Sequence, residues 1–287
     1  MSANPASSLA RADIVYAVHD GVALRGDLYL PASPGPHPVV VAVPGGGWRM
    51  SKRTGLQHWA EYLASKGIAV FAIEYRTSAS GPSFPQAPCD VIAALEYVAG
   101  ESGQLNVDAA RLGVVAASAG AHLATLAAFA GDSPPFAGAY PGDAHSGVRF
   151  DIRALVLAYG VYNLETHWAE TRPGVIDGQP DVTLNFMGVP LEAARELYRL
   201  GSPVTHIASP PCVAAVLLTW GTADKMVNPG QTHELAGALA KAGYRVTELP
   251  VTGAGHLWFS EHRIDDANGY TAGIAVAVVD FLGSHLA

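Results

Sequence analysis

The amino-acid sequence predicts an α/β fold, in which a mostly parallel central sheet carries helices on both faces. Apolar runs such as 39–43 and 68–73 have the composition of strands that are buried on both sides. Stretches with apolar residues at helical spacing separate these runs. The chain has 287 residues, of which 49% are hydrophobic and 15% charged, so it is large enough to bury one extensive core.

The predicted elements follow one another through short connections. Residues 12–30 contain two strands around the turn His19-Asp20-Gly21, because Asp-Gly between apolar runs is a hairpin signal. Gly67 is expected to end a helix over 55–66. Further helices are predicted at 88–99, 119–130, 229–243 and 268–285, and further strands at 111–117, 152–159, 213–219 and 244–250. Such alternation of strands and helices is typical of parallel pairing.

Residues 160–205 interrupt this alternation. A βα unit needs only a short connection, yet these residues form a long stretch with aromatic and polar segments and two weak helices. We expect residues 1–287 to form a single domain and 160–205 to be a cap inserted into it. The alternative is that the segment only pads the edge of the sheet.

Charge and cysteine content exclude several classes of partner. The 17 basic and 25 acidic residues give a net charge of −8, and the absence of a Lys/Arg cluster argues against nucleic acid or an anionic membrane as partner. Cys89 and Cys212 lack metal-ligand spacing and are expected to be buried free thiols. No signal peptide or membrane span is recognisable. We expect a cytoplasmic protein that acts on a small neutral molecule, and a homodimer remains open.

The strongest local motif surrounds Ser118. The segment Val115-Ala116-Ala117-Ser118-Ala119-Gly120 leads from an apolar strand through small residues into a helix. Small neighbours allow the tight turn that lifts a nucleophilic serine above the edge of a sheet, with a helix N-terminus beneath it. This interpretation predicts a positive φ at Ser118. The alternative is that Ser118 is an ordinary helix N-cap.

A glycine-rich loop, Pro44-Gly45-Gly46-Gly47-Trp48, directly follows the apolar run 39–43. Three consecutive glycines free the backbone to point N–H groups at a reacting oxygen, which an oxyanion hole requires. The alternative is an unspecialised loop. The combination with a serine after another strand favours the functional interpretation.

Two more candidates each follow a predicted strand: Asp224 in a turn after 213–219, and His256 after 244–250. A serine nucleophile needs an imidazole to accept its proton, and the imidazole needs a carboxylate to fix its tautomer. We expect Asp224 to contact one nitrogen of His256 and Ser118 to contact the other. Asp265 and Asp266 are rival acids, whereas His122 is expected to have a structural role.

With these motifs the chain resembles the α/β-hydrolase family, and within it the carboxylesterases related to hormone-sensitive lipase and the feruloyl and acetyl esterases. The resemblance implies an α/β-hydrolase fold, with Ser118 as nucleophile, Asp224 as acid and His256 as base. It also implies no metal and no organic cofactor. By the same resemblance, the backbone N–H groups that form the oxyanion hole belong to Gly46, Gly47 and Ala119.

The chain departs from the family pattern at three positions. Pro44 stands where HGGG has its histidine, Ala116 replaces the first glycine of G-x-S-x-G, and Trp220 replaces the histidine of HGxxD. Because proline lacks an N–H group and fixes φ, the first change affects the entry to the oxyanion hole.

The predicted activity is hydrolysis of carboxylic esters of small, neutral, apolar or aromatic substrates through an acyl-enzyme. An amidase, peptidase or arylformamidase is the alternative within enzymes, and a ligand-binding protein without catalysis is a remote one. Aromatic side chains near the motifs and in the 160–205 segment are expected to bind the substrate. They are Trp48, Tyr159, Trp168, Phe186 and Trp258.

Overall fold

The computed structural model describes residues 8–171, 181–208 and 215–287. Within them lies a sheet whose strands are β1 (Leu9–His19), β2 (Val22–Tyr29), β3 (His37–Val43), β4 (Ala69–Ile73), β5 (Val107–Ala117), β6 (Ile152–Ala158), β7 (Ala215–Gly221) and β8 (Val246–Val251). The strand order is β1-β2-β4-β3-β5-β6-β7-β8. β2 is antiparallel to both of its neighbours, and the remaining neighbours pair in parallel. The mostly parallel sheet predicted from the sequence is confirmed.

The helices are α1 (Gln57–Ser65), α2 (Gln86–Gly100), α3 (Ser102–Leu105), α4 (Ala119–Ala130), α5 (Leu164–Thr171), α6 (Val182–Met187), α7 (Arg195–Leu200), α8 (Gly230–Lys241), α9 (Trp258–Glu261) and α10 (Tyr270–His285). α2 packs against α4, and both α4 and α8 contact a 3-10 turn at Pro203–His206. α1, α9 and α10 form a second group. Because crossovers between parallel strands are right-handed, α1 and α2, which carry the chain in opposite directions along the sheet, are expected on opposite faces. No helix in the described ranges is long and apolar enough to cross a lipid bilayer.

The path of the chain creates a crevice between β3 and β5. β3 is followed by α1 and then by β4 on one side, after which α2 carries the chain back to β5 on the other side. At such a reversal the loops beyond the two carboxyl ends diverge and leave room for a ligand. The glycine-rich loop follows β3 and Ser118 follows β5, so both motifs lie at this point.

Two differences from the predicted elements have local causes. β5 begins at Val107 instead of 111, because polar residues near Asp108 mask the strand pattern and a register shift interrupts its pairing with β3. The 160–205 segment contains α5, α6 and α7 instead of two helices. α6 and α7 have six residues each, which is too short for a clear period of 3.6. Residues 172–180 of this segment lie outside the described ranges.

The two cysteines can be compared with the prediction only in part. Cys89 is buried and free, as predicted, and burial raises the pKa of its thiol to about 12. A thiol with so high a pKa is unreactive at neutral pH. Cys212 lies outside the described residues.

A buried ionic cluster fixes the β1–β2 hairpin to the rest of the sheet. His19 contacts Asp90 through Nδ1 at 2.7 Å and Asp143 through Nε2 at 2.6 Å. Arg76 pairs with the same Asp90 at 2.6 Å, and Tyr140 stacks on the His19 ring. Burial disfavours the charged imidazole, but hydrogen bonds and charges from the two carboxylates outweigh it and raise the pKa of His19. Removing one partner of such a buried pair would leave an uncompensated charge, which is strongly destabilising.

Candidate active site

Ser118 lies in a strained turn between β5 and α4. Its φ is 53° and its ψ −125°, and its side chain makes no capping hydrogen bond to α4. The predicted positive φ is therefore confirmed, and the alternative of an ordinary N-cap is excluded. The Ser118 N–H donates to the Ala158 carbonyl at 2.8 Å, which ties the turn to the neighbouring strand β6. A conformation that costs energy is retained because it holds the hydroxyl above the sheet edge.

Ser118, His256 and Asp224 form a continuous hydrogen-bonded triad. Ser118 Oγ lies 3.0 Å from His256 Nε2, and His256 Nδ1 lies 2.6 Å from Asp224 Oδ2. The side chains of His256 and Asp224 are almost fully shielded from solvent. With Nδ1–H donated to the carboxylate, Nε2 is left as the acceptor for the serine proton. The geometry predicted from the sequence is confirmed.

The Asp224 carboxylate is fixed by its own turn. Its Oδ1 accepts hydrogen bonds from the N–H groups of Met226 at 2.9 Å and Val227 at 3.0 Å, which leaves Oδ2 for His256. Gly221, at the start of this turn, lets the turns after β7 and β8 approach closely, since a Cβ there would lie 2.3 Å from the Ala254 carbonyl oxygen. The short distance between the loops places the acid beside the imidazole.

The rival acids lie elsewhere. Asp265 pairs with Arg263 through two contacts of 2.8 and 2.9 Å. Asp266 accepts a hydrogen bond from the N–H of Asn268 within its own turn. Neither carboxylate holds His256, so the choice of Asp224 over these two residues agrees with the geometry.

The glycine-rich loop lies directly against Ser118. A Cβ on Gly45 would lie 3.0 Å from Ser118 Cβ. Gly46 has a φ of 137°, and a Cβ there would lie 2.3 Å from the Met50 carbonyl oxygen, so only glycine fits. In the described ranges no acceptor takes the N–H of Gly46, Gly47 or Ala119. These donors are therefore available to an oxygen bound at Ser118.

Pro44 receives a support that the sequence did not reveal. The Tyr75 hydroxyl, from the segment after β4, donates to the Pro44 carbonyl at 2.9 Å. Burial raises the pKa of this hydroxyl, so it stays protonated and remains a donor. The entry to the loop is thus anchored through the backbone, although Pro44 has neither an N–H group nor a polar side chain.

The predicted substrate-binding aromatics are all buried, and they divide into three groups. Trp48, beside Gly47, stacks on Phe186 with ring centroids 4.8 Å apart. Tyr159 packs on the His256 ring at 4.4 Å. Trp258 meets the Tyr159 ring edge-on, with ring centroids 6.0 Å apart. The fifth residue, Trp168, donates its indole N–H to Glu192 and packs on Tyr198, both in the 160–205 segment. Contact of any of the five with a substrate stays a prediction.

Backbone strain is concentrated around the triad. Of the seven described residues other than glycine with positive φ, four lie in the loops at this edge of the sheet: Trp48, Ser118, Tyr159 and Leu257. Each follows the carboxyl end of a different strand. Such conformations persist only where the surrounding structure enforces them, and they are enriched at functional sites.

Two buried histidines near the triad have different surroundings. His122 Nδ1 accepts the Trp48 indole N–H at 3.1 Å and its Nε2 donates to the Gly201 carbonyl at 2.7 Å, so its predicted structural role is confirmed. His167, on α5, was not singled out from the sequence. Its Nδ1 is buried and has no hydrogen-bond partner in the described part of the chain. Burial lowers the pKa of His122 to about 3 and that of His167 to about 4.

Across the described residues, no group of three or more His, Cys, Asp or Glu side chains could hold a metal ion. At this edge the described residues bring together the triad and three backbone N–H groups. Together they can activate a hydroxyl and stabilise negative charge that develops next to it.

Comparisons with known proteins find similar sequences among esterases. The BD-FAE family model matches residues 26–239, about three quarters of the chain. The chain is 30% identical over 252 residues to the probable carboxylic ester hydrolase LipM of Mycobacterium tuberculosis, which covers 86% of this chain and 54% of LipM. Esterase LipC of the same organism is 27% identical over 226 residues, which covers 77% of this chain and 53% of LipC. The chain thus spans about half the length of the curated relatives it matches.

Among solved structures, the chain is similar to a thermophilic esterase of Thermogutta terrifontis, Est2, with propionate bound. The TM-score is 0.73 at 25% sequence identity, covering 98% of this chain and 94% of Est2. The fold class predicted from the sequence is thereby confirmed.

Proposed function

The chain belongs to the BD-FAE family, among the α/β-hydrolase carboxylesterases, and from this membership we propose that it is a serine hydrolase of carboxylic esters. The observation that carries the proposal is the hydrogen-bonded triad, in which Ser118 Oγ lies 3.0 Å from an imidazole whose other nitrogen lies 2.6 Å from a carboxylate. A hydroxyl with such a neighbour can lose its proton as it attacks a carbonyl carbon.

In the proposed reaction, His256 Nε2 accepts the Ser118 proton while Oγ bonds to the ester carbonyl carbon. The N–H groups of Gly46, Gly47 and Ala119 stabilise the oxyanion of the tetrahedral intermediate. Collapse of this intermediate breaks the bond to the alcohol, which leaves with the proton from His256, and Ser118 carries the acyl group. Water then gives a proton to His256 as its oxygen bonds to the acyl carbon. Collapse of this second intermediate breaks the bond to Ser118 Oγ, which takes the proton back from His256, and the carboxylic acid is released.

Asp224 keeps the imidazole in the tautomer that this sequence of steps needs. Its carboxylate accepts the Nδ1–H of His256 and stabilises the imidazolium that forms during attack. The two backbone N–H groups on Oδ1 keep the carboxylate from rotating away. Tyr159, packed on the same ring, restricts the imidazole from the other side.

We propose small, neutral, apolar or aromatic esters as substrates. The net charge of −8 disfavours anionic molecules, and Trp48, Phe186 and Tyr159 provide an apolar environment beside the site. Est2 of Thermogutta terrifontis was solved with propionate, which favours a short acyl group for this chain as well. Amide, peptide and aryl formamide substrates remain alternatives that one assay can compare.

The 160–205 segment is proposed to be a cap over the site within a single domain of residues 1–287. The support is contact with the glycine-rich loop: a Cβ on Gly47 would lie 3.4 Å from Val182 Cγ1 of α6. The Phe186 carbonyl also accepts the N–H groups of Ser83 and Phe84, which follow β4. The aromatic side chains that we propose to bind the substrate are Trp48, Tyr159, Phe186, Trp258 and, with the smallest contribution, Trp168.

A cytoplasmic location is also proposed. The free buried thiol of Cys89 supports it, because reducing compartments keep cysteines unpaired. A homodimer remains open, and the measurement that decides it is the mass of the protein in solution.

The test is an assay with p-nitrophenyl esters from acetate to laurate, together with an aryl amide and an aryl formamide. We expect turnover of the short esters by the wild type and none above background by Ser118→Ala. Faster cleavage of the amide or formamide than of every ester would favour the alternative enzymes. A complete lack of turnover, with a folded protein, would favour a ligand-binding role.

A further inference from the structure

His167 lies beside the glycine-rich loop although it belongs to none of the motifs. It stands on α5, and its ring meets the Trp48 ring edge-on, with centroids 6.4 Å apart. Trp48 directly follows Gly47 of the glycine-rich loop. The charge on His256 also contributes to lowering the pKa of His167. The ring contact with Trp48 places His167 next to the glycine-rich loop.

The Nδ1 atom of His167 lacks the hydrogen-bond partner that a buried imidazole nitrogen normally has. The residue is only 4% exposed, and its Nδ1 has no hydrogen-bond partner in the described ranges. His122, which meets the same Trp48 ring, has a partner on each nitrogen. An unpaired polar atom in the interior destabilises the folded state, so its presence beside the site needs an explanation.

The state of the ring defines what it can bind. Burial is the main cause that lowers the pKa of His167 to about 4, and it outweighs the opposing charge of Asp181. The imidazole is therefore neutral at pH 7 and offers one N–H donor and one acceptor nitrogen. A neutral donor and acceptor among aromatic rings suits an uncharged oxygen, such as that of a hydroxyl, ether or carbonyl group.

We propose that His167 is a specificity-determining residue that hydrogen-bonds an uncharged oxygen in the acyl or alcohol part of the substrate. This inference rests on the proposed ester hydrolysis and adds a preference to it. Esters with a suitably placed oxygen are hydrolysed better than hydrocarbon esters of the same size, because only the oxygen pairs with the imidazole.

The test compares matched ester pairs in which one CH₂ group is replaced by an ether oxygen. Butyl acetate and 2-methoxyethyl acetate probe the alcohol part, and p-nitrophenyl pentanoate and 3-methoxypropanoate probe the acyl part. For each pair we take the ratio of kcat/KM, ether over hydrocarbon, and divide the wild-type ratio by that of a variant. This quotient cancels the intrinsic reactivity of the esters and any general loss of activity.

For His167→Leu we expect the ether preference to fall roughly tenfold in at least one pair, the size of one lost hydrogen bond. His167→Gln, which keeps a donor and an acceptor, should recover part of it. Unchanged ratios in both pairs, or an equal loss for both members of each pair, would overturn the inference. If the wild type hydrolyses esters but the ether-over-hydrocarbon ratios are the same in the His167 variants, this inference fails while the proposed function stands.

A second measurement needs no activity. His167→Leu removes an unpaired polar group, so we expect Tm to rise by roughly 2–4 °C. The matched control is His122→Leu, which leaves the Trp48 N–H and the Gly201 carbonyl without partners and should lower Tm. A fall in Tm for His167→Leu, like that of the control, would show that His167 is a structural residue and would overturn the inference. If no ester is hydrolysed, the proposed function fails, and the Tm comparison still decides whether His167 is structural.

Discussion

The sheet edge that carries the triad and the 160–205 segment above it are held in different ways. At the sheet edge, short loops are joined to one another by hydrogen bonds, as in the link from the Ala223 N–H to the Ala254 carbonyl. The 160–205 segment meets the glycine-rich loop through side chains, with Phe186 stacked on Trp48 and His167 edge-on to the same ring. Catalysis needs atoms held at fixed distances, whereas substrate recognition needs a surface whose side chains can differ between enzymes.

The largest expected loss of kcat is that of Asp224→Asn at the sheet edge. The Met226 and Val227 N–H groups would retain the amide oxygen, so the NH₂ group would face His256 Nδ1 and force its proton onto Nε2. With Nε2 protonated the imidazole cannot accept the serine proton, so we expect kcat to fall about 10⁴-fold. Steady-state kinetics on a short p-nitrophenyl ester measure this, with Tm as the control for folding. A loss below about tenfold would mean that the edge is less rigid than proposed.

A second prediction concerns the loss of folding stability in mild acid. Both regions contribute to this loss, each through one buried histidine. His122 and His167 stay neutral when folded, because burial lowers the pKa of these residues to about 3 and about 4. In the unfolded chain each titrates near pH 6.5, so unfolding takes up protons below that pH. Stability should therefore fall between about pH 6.5 and 5, above the range in which most carboxylates titrate.

The measurement is Tm across this pH range for the wild type and His122→Gln, for which we expect a shallower slope. His19 acts in the opposite sense: its pKa is raised, so its contribution is present at low pH and is lost as the pH rises above about 6.5. Equal slopes for the wild type and the variant would contradict the assignment of a neutral buried His122.

The smallest expected change is in acyl chain-length preference, and it distinguishes two aromatic residues of the 160–205 segment. From the sequence both were expected to contact the substrate, yet Phe186 stacks on Trp48 beside the glycine-rich loop, whereas Trp168 packs on Tyr198 and bonds Glu192. Phe186→Leu should change the ratio of kcat/KM for butyrate and octanoate esters severalfold, and Trp168→Leu less than twofold. Both variants should lose some stability, since both side chains are buried. A larger shift for Trp168→Leu would reverse the two roles.

The contrast between the sheet edge and the 160–205 segment also explains which parts of the structure could be predicted from the sequence. Ser118, Asp224 and His256 were predictable because each follows a strand, and parallel strands bring their carboxyl ends to one edge. The helices α6 and α7 were not separately predictable, since six residues carry little periodicity.

Individual contacts across the chain were also beyond the sequence. His167 meets Trp48, more than a hundred residues away in the chain, and the burial of its Nδ1 depends on that packing. The Tyr75 hydroxyl on the Pro44 carbonyl likewise depends on the path of the segment after β4. No local pattern records such contacts, because they arise only when the elements pack.

The central claim is that Ser118 is a nucleophile activated by His256 and Asp224. The most direct test is to incubate the protein with a fluorophosphonate probe and locate the adduct by peptide mass spectrometry, with Ser118→Ala as the control. We expect a single adduct on the peptide that contains Ser118, none in the variant, and much slower labelling of Asp224→Asn. An adduct on another residue, or a folded wild-type protein that is not labelled, would contradict the account.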